Sequence, residues 1–164
     1  MLWSPSPCFP QGDDKALPVL KDVLIGNQFF QIEVAHTPQT RERGLMDRDE
    51  LGFDGGMLFV FPVAEERVFW MCRTRIDLDI VFLDAAGVVV DIQTMPAELP
   101  CKPGETETDY EARLPRYASK APAQFAIELQ AGTAAAAGLR EGDRIALDIP
   151  ALNRLVATEN AEEE

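Results

Sequence analysis

The sequence contains a single histidine and three cysteines, none in Cys-x-x-Cys spacing, so it offers no zinc-ligand quartet. It also lacks a Gly-rich phosphate loop, a nucleophile elbow and any internal repeat, the usual sequence marks of nucleotide binding, serine-hydrolase chemistry and solenoids. No run approaches the roughly eighteen consecutive apolar residues of a membrane helix, which predicts a soluble chain without a membrane span. Basic residues are few: 15 Lys and Arg stand against 28 Asp and Glu, a formal net charge of -13. Nucleic-acid affinity is built mainly from Lys and Arg that displace counterions, so this balance argues against a nucleic-acid partner. Arg41, Arg43 and Arg48 are interleaved with Glu42, Asp47, Asp49 and Glu50 and read as an exposed mixed-charge helix.

At 164 residues the chain predicts one domain, which on folding buries about two thirds of the surface its unfolded form exposes. The expected limits are a leader over 1–18, a β-rich domain over 19–150 and an acidic flexible tail over 151–164. The leader has prolines at 5, 7 and 10 and no apolar h-region, so it reads as a disordered segment or the remnant of a signal. The first reading places the protein in the cytoplasm; an upstream signal would make it periplasmic or exported. Cys72 and Cys101 either bridge in an oxidising compartment, closing a loop of about thirty residues at a gain of a few kcal/mol, or stay as two reduced thiols.

What the chain has in abundance is core. Met57, Leu58, Phe59, Val60 and Phe61 form an unbroken apolar run between Gly55-Gly56 and Pro62, the pattern of a strand covered on both faces. Val19 to Ile25 and Phe29 to Val34 flank Gly26-Asn27 and predict a hairpin. Thr37-Pro38 predicts a helix start and Gly44 its end. Ile76, Leu78, Ile80 and Phe82 alternate with Asp77, Asp79 and Val81 as a strand, and Asp84 to Gly87 turns into a second one over 88–95. Residues 96–122, rich in proline and charge, read as one long loop bordering a cleft. A strand over 124–129, a helical turn capped by Thr133 and closed by Gly138, and a last strand over 144–149 complete a mainly β domain, a sandwich or barrel with one or two short helices.

Arg43-Gly44-Leu45-Met46, the run from Gly55 to Pro62, Phe69-Trp70-Met71, Leu78-Asp79-Ile80, Pro100-Cys101, and Gly138-Leu139 followed by Gly142-Asp143-Arg144 occur in this order. Together they resemble the family called domain of unknown function 192, over roughly Val19 to Ile149. The resemblance implies a compact β-rich domain, often carried behind a signal peptide or lipoprotein leader in bacteria, with no established activity. Two departures stand out. Cys72-Arg73 replaces a common Lys-Asn pair, and Asp77 stands where a proline is common.

Several constellations bear on chemistry. Cys101 could act as a nucleophile if His36 came close to it in space, although a buried or bridged cysteine and a surface histidine is the simpler reading. Asp77 and Asp79, on one strand face, have the spacing for acid-base work or for a hard cation; Arg73 and Arg75 share that face and make a salt-bridge ladder the simpler reading. Met46, Met57, Met71, Cys72, Cys101 and His36 are soft enough for copper, but methionines beside Phe and Trp normally fill gaps in a core. The expectation is therefore a non-enzymatic module for a small ligand or a protein partner, with neither metal nor cofactor. Its cleft is bordered by the 96–122 loop and lined by Arg43, Trp70, Arg73, Asp79 and Cys101. The rival is a small hydrolase-like enzyme using Cys101 or the Asp77/Asp79 pair.

Overall fold

The computed structural model describes residues 18–162; the expected leader, apart from Pro18, lies outside the described residues. The predicted hairpin forms from β1 (Val19–Ile25) and β2 (Gln28–Ala35), with Ile25 opposite Gln28. The helix α1 (Pro38–Arg43) then starts as its sequence predicts. The Thr37 hydroxyl accepts from Thr40 N at 3.0 Å and the Thr40 hydroxyl accepts from Thr37 N at 3.0 Å, which satisfies two end donors reciprocally. Gly44 stops the helix at φ +48, a conformation that strains any residue with a Cβ, and an added Cβ would sit 3.3 Å from the Phe59 ring.

The apolar run becomes β3 (Gly55–Glu65), near the middle of a six-stranded sheet of order β1-β2-β3-β8-β5-β6, where β5 is Leu78–Leu83, β6 Val89–Met95 and β8 Ala123–Gln130. β2 and β3 run parallel and every other pairing is antiparallel. The mainly β expectation holds, and the sheet is open, not closed into a barrel. Pro62 does not end β3; it falls where the register with β8 shifts between Val60 and Glu65, the kind of irregularity that tolerates a missing N–H. Gly56 is required by crowding, since an added Cβ would lie 2.7 Å from the Glu128 carbonyl oxygen and 2.9 Å from side-chain atoms of Ile32 and Leu129.

Both faces of the sheet are covered, which is why β3 and β5 show no polar alternation. Leu58 and Val60 of β3 join Val81, Ile127, Ile145, Leu152 and Val156 in one core, roofed by α3 (Thr133–Ala136) and α4 (Ile149–Glu162). Met57 and Phe59, pointing the other way, join Leu45, Met71, Ile80 and Phe82 in a second core. A small ribbon of β4 (Val68–Phe69) and β7 (Tyr117–Ala118) and the chain after α1 lie on that side. A third cluster gathers Cys72, Cys101, Tyr110 and Leu114 beside Met46 and Trp70.

Four expectations are corrected. Residues from 151 do not begin a flexible tail: α4 runs through them, because Leu152 and Val156, four apart and 2% and 5% exposed, form an apolar stripe that docks on the sheet. The last strand does not form; Arg144 makes a single bridge to Val88. The segment 96–122 is not one loop, for it contains α2 (Glu107–Arg113) and β7. It is pinned by Arg113, which donates to the Leu99 and Pro100 carbonyls and to Glu105 and holds the Glu105 carboxyl down to about 2. Finally, Gly132 and not Thr133 occupies the cap position of α3.

Candidate functional site

A cavity of about 460 Å³ opens on the second-core side of the sheet. Its lining comes from α1 and the chain after it (Arg41, Glu42, Arg43, Gly44, Leu45, Met46), from β3 and the turn that follows (Phe59, Phe61, Glu66, Arg67), from β4 and its sequel (Val68, Phe69, Trp70, Cys72, Thr74), and from Glu128 of β8. Alternation along β3 sends Phe59 and Phe61 to this side. Phe69 meets Phe59 edge-on, ring centres 5.0 Å apart, and also packs edge-on against Phe61 and Phe82. Trp70 is braced from behind by Arg116, whose guanidinium carbon stands 4.5 Å from the ring centre and whose N–H groups donate to the Leu114 and Glu111 carbonyls. The cavity is thus aromatic and held in shape by neighbours that do not open into it.

Two guanidiniums share one ring in its wall. Arg67 lies 4.0 Å and Arg41 5.4 Å from the centre of Phe61. Arg41 donates to the Val60 carbonyl at 3.0 Å and to the His36 carbonyl, and Arg67 to the Ala123 carbonyl at 3.2 Å. Burial pushes the Arg67 pKa down, and the like charge of Arg41 adds to this while Glu65 opposes it. Two guanidiniums thus pack on one apolar ring, with the Glu65 carboxylate 3.4 Å from Arg67.

Glu128 is the unusual member. It is 5% exposed, and register places it opposite Met57 on β3 and Ile80 on β5. Among the described residues no side-chain or backbone donor reaches its carboxyl group, and burial alone pushes its pKa up to about 8. At neutral pH it is therefore mostly a neutral carboxylic acid, able to donate one hydrogen bond and accept others. The Cys72 thiol, also in the lining, is free and pushed up to about 11, chiefly by burial, so at neutral pH it is an inert thiol.

The structure distributes the residues expected from the sequence as follows. Arg43 and Trp70 line the cavity. Arg73 stands beside it without lining it; it pairs with Asp47 through both carboxylate oxygens, donates its backbone N–H to the Tyr110 hydroxyl at 2.8 Å, and shares with Asp47 a positive φ, +53 against +62. Asp47 N in turn donates to the Arg73 carbonyl at 2.9 Å, so two strained residues hold each other in place. Arg75 pairs with Asp49 at 2.6 Å. The expected ladder of Arg73 and Arg75 with Asp77 and Asp79 is replaced by these contacts.

Asp79 faces the first core, opposite to Glu128. It accepts from the Thr94 hydroxyl at 2.8 Å and from Ala134 N at 3.0 Å, and so ties β6 and α3 to the sheet. Asp77 is exposed and accepts from Ala97 N at 2.7 Å; the two aspartates form no shared site. Cys101 is disulfide-bonded, which removes it as a nucleophile, and because Cys72 is free the two do not bridge each other. Met57 and Met71 sit in the second core. Among the described residues no three His, Cys, Asp or Glu side chains are grouped to hold a metal ion. None of the cavity's lining comes from 96–122. That segment instead packs Tyr110 and Leu114 against Cys72.

The sequence reading missed Arg41, Arg67, Phe61 and Glu128. For Glu128 a signal existed: it is the one acidic residue in AQFAIELQ, a strand with seven of eight positions buried.

With this geometry in hand the chain can be placed among known proteins. The sequence profile of domain of unknown function 192, described as Uncharacterized ACR, matches residues 22–147, and the chain belongs to that family. Among solved structures, a "putative transcription regulator" from Sinorhizobium meliloti is 26% identical with a TM-score of 0.64, the alignment covering 80% of this chain and 96% of that one. A protein of unknown function from Novosphingobium aromaticivorans is 24% identical with a TM-score of 0.62, over 85% of this chain and 99% of that one, and supports the fold. No curated protein matches the sequence.

Proposed function

We propose that the domain is a non-enzymatic small-ligand-binding module whose site is the cavity between α1 and the turn that joins β3 to β4. The observation that carries this reading is Glu128. No donor among the described residues reaches its carboxyl group, and that group stands in the lining of a cavity large enough for a metabolite-sized molecule. A bound ligand would complete its hydrogen bonding.

The residues of the hydrolase reading support no reaction. Cys101 is disulfide-bonded, and both aspartates accept bonds that hold the backbone. The regulatory role named for the Sinorhizobium protein, carried to this chain, accords better with ligand sensing than with direct DNA contact at a net charge of -13.

The test is a fragment screen by protein-observed NMR with a library of mixed charge. Binding is expected to shift the Trp70 indole together with the signals of Leu45, Met46, Val68 and Thr74. Hits scattered over the surface, with none perturbing that group, would overturn the proposal.

A further inference from the structure

The cavity's wall and floor carry information on the chemical class of its occupant. Met57 lies opposite Glu128, and Phe61, with its two guanidiniums, lies four residues further along the same face of β3. At about 3.3 Å of rise per residue the two polar ends are on the order of 13 Å apart along the strand, and Phe59 lies between them. One end gathers two guanidiniums against a ring, with a Glu65 carboxylate 3.4 Å from Arg67, and the other holds a buried acid that no donor among the described residues reaches.

A cationic occupant would have to lie against Arg41 and Arg67, and a doubly negative one would meet Glu42 and Glu66, which also line the cavity. A single negative charge beside the guanidiniums, followed by an apolar stretch over Phe59, Phe69 and Trp70, adds to the one counter-charge that Glu65 gives Arg67 and offsets the repulsion between the two cations. An acceptor at the far end would take the proton that a neutral Glu128 offers.

We propose that the cavity takes an organic monoanion with an apolar or aromatic body, its acidic group against Arg41 and Arg67 and an acceptor oxygen against Glu128. This rests on the reading of the cavity as a ligand site and adds the class of ligand. Glu128 is the hydrogen-bond donor of the floor, so binding weakens as it ionises. The charged and titratable groups that share the cavity with it are Arg41, Glu42 and Arg43 from α1, Glu66 and Arg67 from the turn after β3, and the Cys72 thiol, which titrates only at about 11. The strands on either side of Glu128 contribute Met57 and Ile80, which do not titrate.

The experiment uses three probes of one shape: para-acetylphenylbutyrate, the matching neutral butyramide and the matching cationic butylamine, titrated into the full chain at millimolar concentration and followed by NMR. The anion is expected to bind about tenfold or more tighter than the other two at pH 7, which is about 1.4 kcal/mol. With Glu128 ionising at about 8, its affinity should fall about tenfold between pH 7 and pH 9, because the neutral fraction falls by that factor. Glu128→Gln keeps a donor and cannot ionise, so the same titration should be flat.

If the amide or the amine binds at the cavity as tightly as the anion, the ligand class is wrong and the site stands. An anion affinity that does not change with pH in the wild type overturns the role of Glu128. Failure of the anion to bind at all overturns this inference, and the mixed-charge screen then decides the cavity separately: other fragments seated there leave the binding module intact, and none seated there removes both.

Discussion

Replacing Glu128 by glutamine should raise the protein's stability relative to wild type increasingly as pH rises, by a defined amount. In the unfolded chain a glutamate ionises near 4.5, whereas in the fold Glu128 keeps its proton until about 8. Its folded pKa is raised, so the stability it permits is fully present below the unfolded value and is lost as pH rises through the folded one. Between the two, unfolding releases a proton and rising pH favours the unfolded state. At about 1.4 kcal/mol per pH unit, holding Glu128 neutral costs the fold about 3 kcal/mol at pH 7 and about 5 kcal/mol above pH 8. That is a large part of the ~5–15 kcal/mol by which domains are stable.

Glutamine has its own burial cost, but that cost does not vary with pH and cancels when one pH is compared with another. The other carboxylates are common to both proteins and cancel as well. Urea unfolding of wild type and Glu128→Gln, followed by far-UV circular dichroism, should therefore show a stability gap that widens by about 3 kcal/mol from pH 5.5 to pH 8 and then levels off. A gap constant to within about 0.5 kcal/mol over that range would refute the reasoning, since the carboxyl would then be reached by water or held ionised by a donor.

Other sites give independent checks. Asp79→Ala removes the acceptor that serves Thr94 and Ala134 N in a buried position and should cost about 2–4 kcal/mol in urea unfolding, with α3 losing amide protection in hydrogen exchange. Tyr110→Phe removes the hydroxyl that accepts from Arg73 N and should cost about 1–2 kcal/mol, with the largest amide shifts at the strained Asp47 and Arg73. The Cys72 thiol, buried and ionising only at about 11, should resist Ellman's reagent at pH 8 in the native state and react on unfolding; prompt native reaction would show that the site is open. Gly56→Ala forces a Cβ against the Glu128 carbonyl oxygen and should cost more than about 2 kcal/mol, read as a fall in the urea midpoint.

Much of the framework follows from local chemistry and was therefore legible in the chain. The run from Met57 to Phe61 has the pattern of a strand covered on both faces and forms one, Gly26-Asn27 joins two strands that pair, and Thr37-Pro38 starts a helix that Gly44 ends. The same local logic failed where the deciding neighbour is distant. The acidic end of the chain read as solvated, yet Leu152 and Val156 find the sheet and make a helix of it. Residues 144–149 had a strand's composition but meet the sheet at one bridge only.

The site depended on tertiary structure almost entirely. Asp77 and Asp79 looked like neighbours on one open face, but with Asp79 buried beneath α3 and Asp77 left outside, both serve the backbone. Glu128 looked like an ordinary strand glutamate, and it became the floor of a cavity because β8 inserts between β3 and β5. Arg41 and Arg67 are 26 positions apart and meet only because both pack on Phe61. The sequence by itself determined the strands, the turns, the capped helix and the family, because short-range sterics and apolar periodicity are written into consecutive residues. The order of the strands in the sheet decided which charges are buried, which are paired and which face a cavity, because desolvation and Coulomb energies depend on neighbours that the chain brings together only on folding.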